Sequence, residues 1–251
     1  MLTSQRRKII LDRLRRDGQV LAKAISEELE LSEDTIRRDL RAMASEGVLQ
    51  RVHGGALPAS PALGDYAARQ RLEPGGKLAI AKAAAALIQP GQVVFMDGGT
   101  TCHQLALHLP LNLKATVVTH SPSIAVALVH HPEVEVVLMG GQLFKHSVVA
   151  MGAVTIQAIA RVQADLYFMG VTAVNAARGF STGDLEEAHI KRAMMVQSAE
   201  TWVLASAEKL NAASPYVIAK CAEVTGLIVD AATPKQNVTA LMRTGLTVIR
   251  A

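Results

Sequence analysis

Apolar residues in the first sixty positions recur at helical spacing. Ile9, Ile10 and Leu14, followed by Gly18, predict a helix over about 4–16 that a glycine ends after its last turn. Ile25 and Leu29 form an i, i+4 pair on a second helix over about 22–29. Ser32 is a good N-cap, and Glu33 and Asp34 place negative charge at the positive end of the helix that follows. On that third helix, 33–45, Ile36, Leu40 and Met43 share the inward face, and Thr35, Arg37, Arg38 and Arg41 fall on other faces. Past Gly47, Val48 to Val52 alternates apolar and polar and runs into the tight turn His53-Gly54-Gly55. Two short helices, a turn, and a third helix with Thr and Arg near its start predict a helix-turn-helix at about 20–39. The alternating segment is its wing, with Arg51, His53 and Gly54 beside the DNA backbone. This unit is expected to span 3–58.

The pattern changes at Leu57-Pro-Ala-Ser-Pro-Ala-Leu-Gly64, which has neither charge nor periodicity and reads as a linker. With the residues beyond it, the linker is taken as 59–74 and a second domain as 75–251. In the second domain, short apolar runs at 92–97, 116–118, 134–139, 165–169, 201–204, 227–229 and 247–249 alternate with helical stretches such as 77–88. Strands separated by helices predict an α/β domain with a mainly parallel sheet, whose ligands bind beyond the carboxyl ends of strands.

Composition narrows the class. Half of the 251 residues are hydrophobic and 19% are charged, too apolar for a disordered chain. Apolar runs such as 83–88 and 134–139 fall far short of the ~20 residues of a membrane span. No apolar segment follows the basic start, so no secretory signal is expected, and a soluble, cytoplasmic protein is. Two cysteines make no disulfide framework. Cys102, His103 and His108 do not converge on a metal, and His130-His131 read as surface residues; no metal or cofactor is expected. Residues 1–57 carry 11 Lys/Arg against 9 Asp/Glu, an excess several times denser than in the rest of the chain. Arg6, Arg7, Lys8, Arg13, Arg15 and Arg16 face only Asp12 and Asp17 in the local sequence. No aromatic residue precedes Tyr66, which suits duplex phosphate contacts better than base stacking, although a solvated charged face would look the same.

The most informative loop of the second domain is Asp97-Gly98-Gly99-Thr100-Thr101, between a strand and a helix. Two glycines allow close backbone approach, and free N–H groups with two hydroxyls suit an anion. An ordinary strand-to-helix turn with capping threonines is the plainer alternative. Thr119-His120-Ser121 and Gly140-Gly141 follow the next two strands, so several strand ends carry small or hydroxyl residues. Glu187 and Lys191 read as a surface pair at i, i+4. Lys209, after another strand, suits either a ligand or solvent.

The string Ser32-Glu-Asp-Thr-Ile-Arg-Arg-Asp-Leu40, with Glu46-Gly-Val-Leu49 and Arg51-Val-His-Gly-Gly-Ala56, resembles the signature of the DeoR family of bacterial transcriptional regulators. The resemblance implies a winged helix-turn-helix followed by an effector domain that resembles ribose-phosphate isomerases in fold. It implies that Ser32, Thr35, Arg37, Arg38, Arg41, Arg51, His53 and Gly54 meet a double-stranded operator. It also implies that Asp97 to Thr101, Thr119 to Ser121, Gly140, Gly141 and Lys209 surround a phosphorylated sugar, with Lys145 and Lys191 further effector-binding candidates. Three positions depart from the family pattern: His120 replaces Asn, Lys145 stands near a usual Arg, and Ser206 replaces Asp. The expected protein is an oligomeric repressor of carbohydrate genes, not an enzyme, on palindromic or repeated half-sites. The alternative is a sugar-phosphate isomerase carrying a DNA-binding module, with Asp97, Asp165 or Glu187 as its base.

Overall fold

The computed structural model describes residues 1–251. Its N-terminal unit contains α1 (Thr3–Asp17), β1 (Val20–Leu21), α2 (Ala22–Glu28), α3 (Glu33–Ser45), β2 (Leu49–Val52) and β3 (Gly55–Pro58). Gly18, at φ 70°, closes α1 by returning its N–H to the Leu14 carbonyl at 3.0 Å. Ser32 caps α3, its hydroxyl accepting the Thr35 N–H at 3.2 Å. β2 and β3 form the wing, and β1 adds to the outside of β3, all antiparallel. Gly55 is required there, because a Cβ would lie 1.9 Å from the Val20 carbonyl oxygen. Ile10, Leu14, Ile25, Ile36, Leu40 and Met43 make the core that the spacing predicts.

Half of the N-terminal basic cluster is tied to distant acids, while Lys8, Arg15 and Arg16 stay exposed. Arg6 grips Asp39 of α3 with two nitrogens, at 2.6 and 3.1 Å. Arg7 reaches Glu46 at 2.9 Å, and Arg13 bonds Glu28. These acids lie 15 to 39 residues away in the chain, so the local sequence could not pair them.

The expected linker is folded. It holds a 3-10 turn (Pro61–Leu63) and α4 (Tyr66–Gln70). Ala62 and Ser60 are buried, and the Ser60 hydroxyl donates to the Thr172 carbonyl of the second domain. The Tyr66 N–H donates to the His146 carbonyl at 2.9 Å. Local composition describes this segment correctly as aperiodic, but long-range hydrogen bonds order it.

The second domain runs α5 (Pro74–Ala85), β4 (Val93–Met96), α6 (Thr100–Leu107), β5 (Ala115–Thr119), α7 (Pro122–Leu128), β6 (Val134–Leu138), β7 (Gln142–Phe144), β8 (Val149–Met151), α8 (Ala153–Ile159) and β9 (Ala164–Gly170). It continues with β10 (Ala173–Asn175), β11 (Gly179–Thr182), α9 (Leu185–Val196), β12 (Ser198–Leu204), β13 (Tyr216–Ala219), β14 (Gly226–Val229), α10 (Lys235–Met242) and β15 (Thr247–Arg250). Seven strands form one wholly parallel sheet in the order β15-β14-β12-β9-β4-β5-β6. Val94, Met96, Leu166 and Phe168 face a core closed by α5, α6 and α7. Phe95, Tyr167, Met169 and Val203 face the other core, under α8, α9, α10 and a small antiparallel sheet β10-β11-β13. The central strands, covered on both faces, read as near-continuous apolar runs, whereas the edge strand β6 leaves Val137 and Leu138 exposed. The chain leaves β4 toward β5 and β6 and later returns to β9 on the other side of β4. The carboxyl ends of β4 and β9 therefore flank the crevice where the strand order reverses, the general ligand position in such sheets.

Candidate functional site

Asp97, immediately after β4, holds that crevice together. Fully buried, it accepts the Gly98 N–H through Oδ1 and the Gly170 N–H through Oδ2, both at 2.8 Å. The Lys191 ammonium of α9 reaches Oδ2 at 2.5 Å. Burial works to lower the Lys191 pKa, but Asp97 and Glu187 outweigh it and hold the lysine above its ordinary value. Asp97 thus ties β4, β9 and α9 to one point.

The loop then turns over this point. Gly98 packs so closely on Val149 that a Cβ would meet Cγ1 at 2.1 Å, and Gly99 takes φ 111° as the N-cap of α6. No side chain caps that helix, so its first N–H groups have no intrahelical partner and open toward a cleft. Thr100 and Thr101 line the cleft, and the Thr101 hydroxyl is buried without a partner. Lys209 lines it too, 7% exposed; burial pulls its pKa down to about 8, and Lys77 and Arg69 push the same way against the opposing pull of Glu208. The cleft therefore presents an uncapped helix start, an idle hydroxyl and a lysine held among other cations.

Several predicted residues are absent from this cleft. Thr119, His120 and Ser121 lie behind the loop. Thr119 Oγ1 donates to the Met96 carbonyl at 2.7 Å, and Ser121 Oγ donates to the Val148 carbonyl at 3.1 Å. His120 is 2% exposed, with Nε2 3.7 Å from Asp97 Oδ1, and burial depresses its pKa to about 4. It is a neutral support, not a group that titrates near neutrality. Gly140 and Gly141 form a turn after the edge strand β6, where the Gly140 carbonyl accepts from Thr155 Oγ1 at 2.8 Å. Lys145 is exposed on the hairpin loop, and Ser147, two residues on, lines the cleft. Glu187 and Lys191 are not a surface pair. Both are buried, and Glu187 Oε2 accepts from Thr182 Oγ1 at 3.1 Å.

Sequence reasoning missed Arg69, Lys77 and Glu208, all of which line the cleft. The buried Glu208 Oε2 has no partner, and its Oε1 accepts from Ser206 Oγ at 2.7 Å. An acid is thus present two residues after the position where the family pattern puts one. Asp165 is at the wrong end of the sheet for chemistry here, since it accepts the N–H of Val93 at the start of β4.

In the N-terminal unit α3 presents its arginines to solvent, each paired back along its own helix. Arg37 reaches Glu33 at 2.6 Å, Arg38 reaches Asp34 at 3.2 Å and Arg41 reaches Asp34 at 3.7 Å. Exposed pairs of this kind are worth little and exchange readily for phosphate or base partners. Ser32, Arg51 and His53 are exposed, and Gly54 sits at the wing turn.

Family models agree with both units. The model of the DeoR C terminal sensor domain matches residues 73–231, and that of the DeoR-like helix-turn-helix domain matches residues 6–61. The chain belongs to the DeoR family. A protein of Escherichia coli O157:H7 named for transcriptional repression of the aga operon is 32% identical over 98% of this chain and 93% of its own. The HTH-type transcriptional regulator GlpR of Haloferax volcanii is 30% identical over 99% of this chain and 98% of its own. The glycerol-3-phosphate regulon repressor of Haemophilus influenzae is 30% identical over 84% and 83%. A ribose 5-phosphate isomerase of Methanocaldococcus jannaschii aligns with 53% of the chain and 52% of its own, at 18% identity and a TM-score of 0.39. As a DeoR-family member the chain is a DNA-binding transcriptional regulator with a sensor domain, and not an enzyme.

Proposed function

We propose that this DeoR-family regulator is a repressor whose hold on DNA is set by a phosphorylated sugar or sugar derivative in the cleft above Asp97. What carries this reading is the meeting, at the switch point of the sheet, of an uncapped helix start, the unpartnered Thr101 hydroxyl and the buried Lys209 ammonium. A phosphate dianion would satisfy all three, since backbone N–H groups and ammonium donors are strongest toward ionised oxygens. Glu208 and Glu187, on the same wall, suit the hydroxyl groups of a polyol chain and disfavour a second phosphate in their place. The name of the glycerol-3-phosphate regulon repressor points to a phosphorylated polyol of the same class. The α3 arginines and the wing would take the major groove and the adjacent backbone of each half-site. Such a protein works in the cytoplasm, where Cys102 and Cys221 are kept as free thiols.

The test is fluorescence anisotropy of labelled DNA from upstream of the protein's own gene, titrated with protein at fixed salt and then with a panel of sugar phosphates. One compound should shift the DNA affinity. Thr100→Asp should abolish that response and leave operator binding intact. Negative charge at the first position of a helix is favourable to the helix itself, so the variant is expected to fold. A response unchanged by Thr100→Asp would remove the cleft from consideration.

A further inference from the structure

Residues 59–74 join the DNA-reading unit to the sensor, yet they also build one wall of the cleft, through Ala62, Arg69 and Leu72. Arg69 is carried on α4, which starts at Asp65, whose Oδ1 accepts the Ala68 N–H at 2.8 Å. One guanidinium nitrogen of Arg69 donates to Ser147 Oγ at 3.1 Å, and the buried Nε has no partner. Burial lowers its pKa; Glu187, Asp97 and Asp65 pull the other way through space, but none pairs with it. From behind, the buried Lys77 donates to the carbonyls of Arg69 and Leu72 and holds the end of α4 to α5. Arg69, Lys77 and Lys209 therefore bring three positive charges to one opening; Arg69 acts against the protonated form of Lys77, and both act against that of Lys209.

We propose that Arg69 is an anion ligand of the effector, contributed by the connector, so that a ligand in the cleft bridges the connector to the α6 loop and Lys209 and thereby fixes the wing's attachment. The proposal rests on the cleft being the effector site. A bound anion adds an attraction between Arg69 on α4 and the α6 loop with Lys209, over and above the contacts to Ser147 and His146 that already seat α4. That added attraction gives the ligand unequal affinity for two positions of the connector, as a conformational response requires. The path to the DNA-reading unit is short. β3 ends at Pro58, Ser60 bonds Thr172 from the next turn of chain, and α4 begins at Tyr66.

Inorganic phosphate and glycerol 3-phosphate serve as probes on the full chain, with calorimetry for affinity and amide hydrogen exchange for the connector. Binding should slow exchange across residues 60–72. Arg69→Ala should weaken binding by about tenfold or more, the loss expected for a charge-assisted hydrogen bond, and should cancel the slowing. Arg69→Lys should fall between, because an ammonium keeps the charge and loses the planar fork. If Arg69→Ala does not fold, Arg69→Lys carries the test, and wild-type affinity with wild-type protection in it overturns the proposal. If Arg69→Ala folds, binds normally and still protects the connector while Lys209→Met loses binding, the proposal falls and the cleft stands. If neither probe binds the wild type, the proposal and the cleft reading fall together.

Discussion

His120 shows how far a side chain's chemistry is set by its surroundings. An imidazole in water takes a proton near pH 6.5, but burial to 2% exposure holds off protonation of His120 to about pH 4, against the attraction of Asp97 and with Lys191 pushing the same way. Between these values the unfolded chain binds the extra proton and the folded chain does not. Folding stability therefore falls as pH drops from about 6.5 to about 4, by roughly 3 kcal/mol from this group alone. His120→Asn keeps a polar side chain at that position and removes the titration. Its denaturation midpoint should fall less than that of the wild type between pH 7 and pH 4.5. Equal falls would show that His120 is not the neutral support described. Other residues near the cleft read differently. The Asp97–Thr101 loop was legible from its glycines and hydroxyls because a helix start and a close backbone approach are local features. The roles of Arg69 and Glu208 were not, since nothing in their immediate sequence says that their polar atoms are enclosed without partners.

At the scale of elements, helix spacing and capping placed α1, α2 and α3 within a residue or two, including the Gly18 stop and the Ser32 cap. How α1 sits on α3 was beyond that reading. The bidentate Arg6–Asp39 contact locks the two helices, with the Asp39 side chain 7% exposed. A unit whose core holds only ten buried hydrophobic residues has a small stability margin. Asp39→Ala leaves the Arg6 guanidinium, 12% exposed, without its counter-charge and should lower the unfolding midpoint of this unit. Thermal unfolding should then show the N-terminal transition moving down while the sensor transition stays. An unmoved profile would mean that the pair is as dispensable as the exposed pairs on α3. The connector is the converse case. Its Pro/Ala/Ser sequence carries no helical period, and long-range contacts with Thr172, His146, Ser147 and Lys77 order it.

For the whole molecule, each chain carries one recognition helix and one cleft. Two half-sites about 34–36 Å apart on DNA need two such helices on one face. The complex with a full operator should accordingly contain two chains or a multiple of two, measured by sedimentation of the protein–DNA complex. One chain holding a full operator at undiminished affinity would rule out paired half-site recognition. The seven-stranded sheet supplies the rigid frame on which β4, β9 and α9 meet at Asp97. Strand runs in the sequence predicted a parallel sheet, and its central strands are covered on both faces. The strand order, and so the location of the crevice, came only from the pairing.

Three N-terminal helices with their wing, the seven strands of the main sheet and the glycine-threonine loop after β4 were legible in the sequence, because period, capping and glycine placement act over a few residues; α4 and the small strands β7, β8, β10, β11 and β13 were not. The tertiary structure decided which charges converge. Arg69, Lys77 and Lys209 meet across a single opening from distant parts of the chain, whereas Lys145 and Gly140-Gly141, equally plausible in the sequence, lie away from it. It also decided that His120 is neutral and that Arg6 belongs to a helix contact. Burial and partnership depend on what the rest of the chain brings alongside, and no local pattern records that.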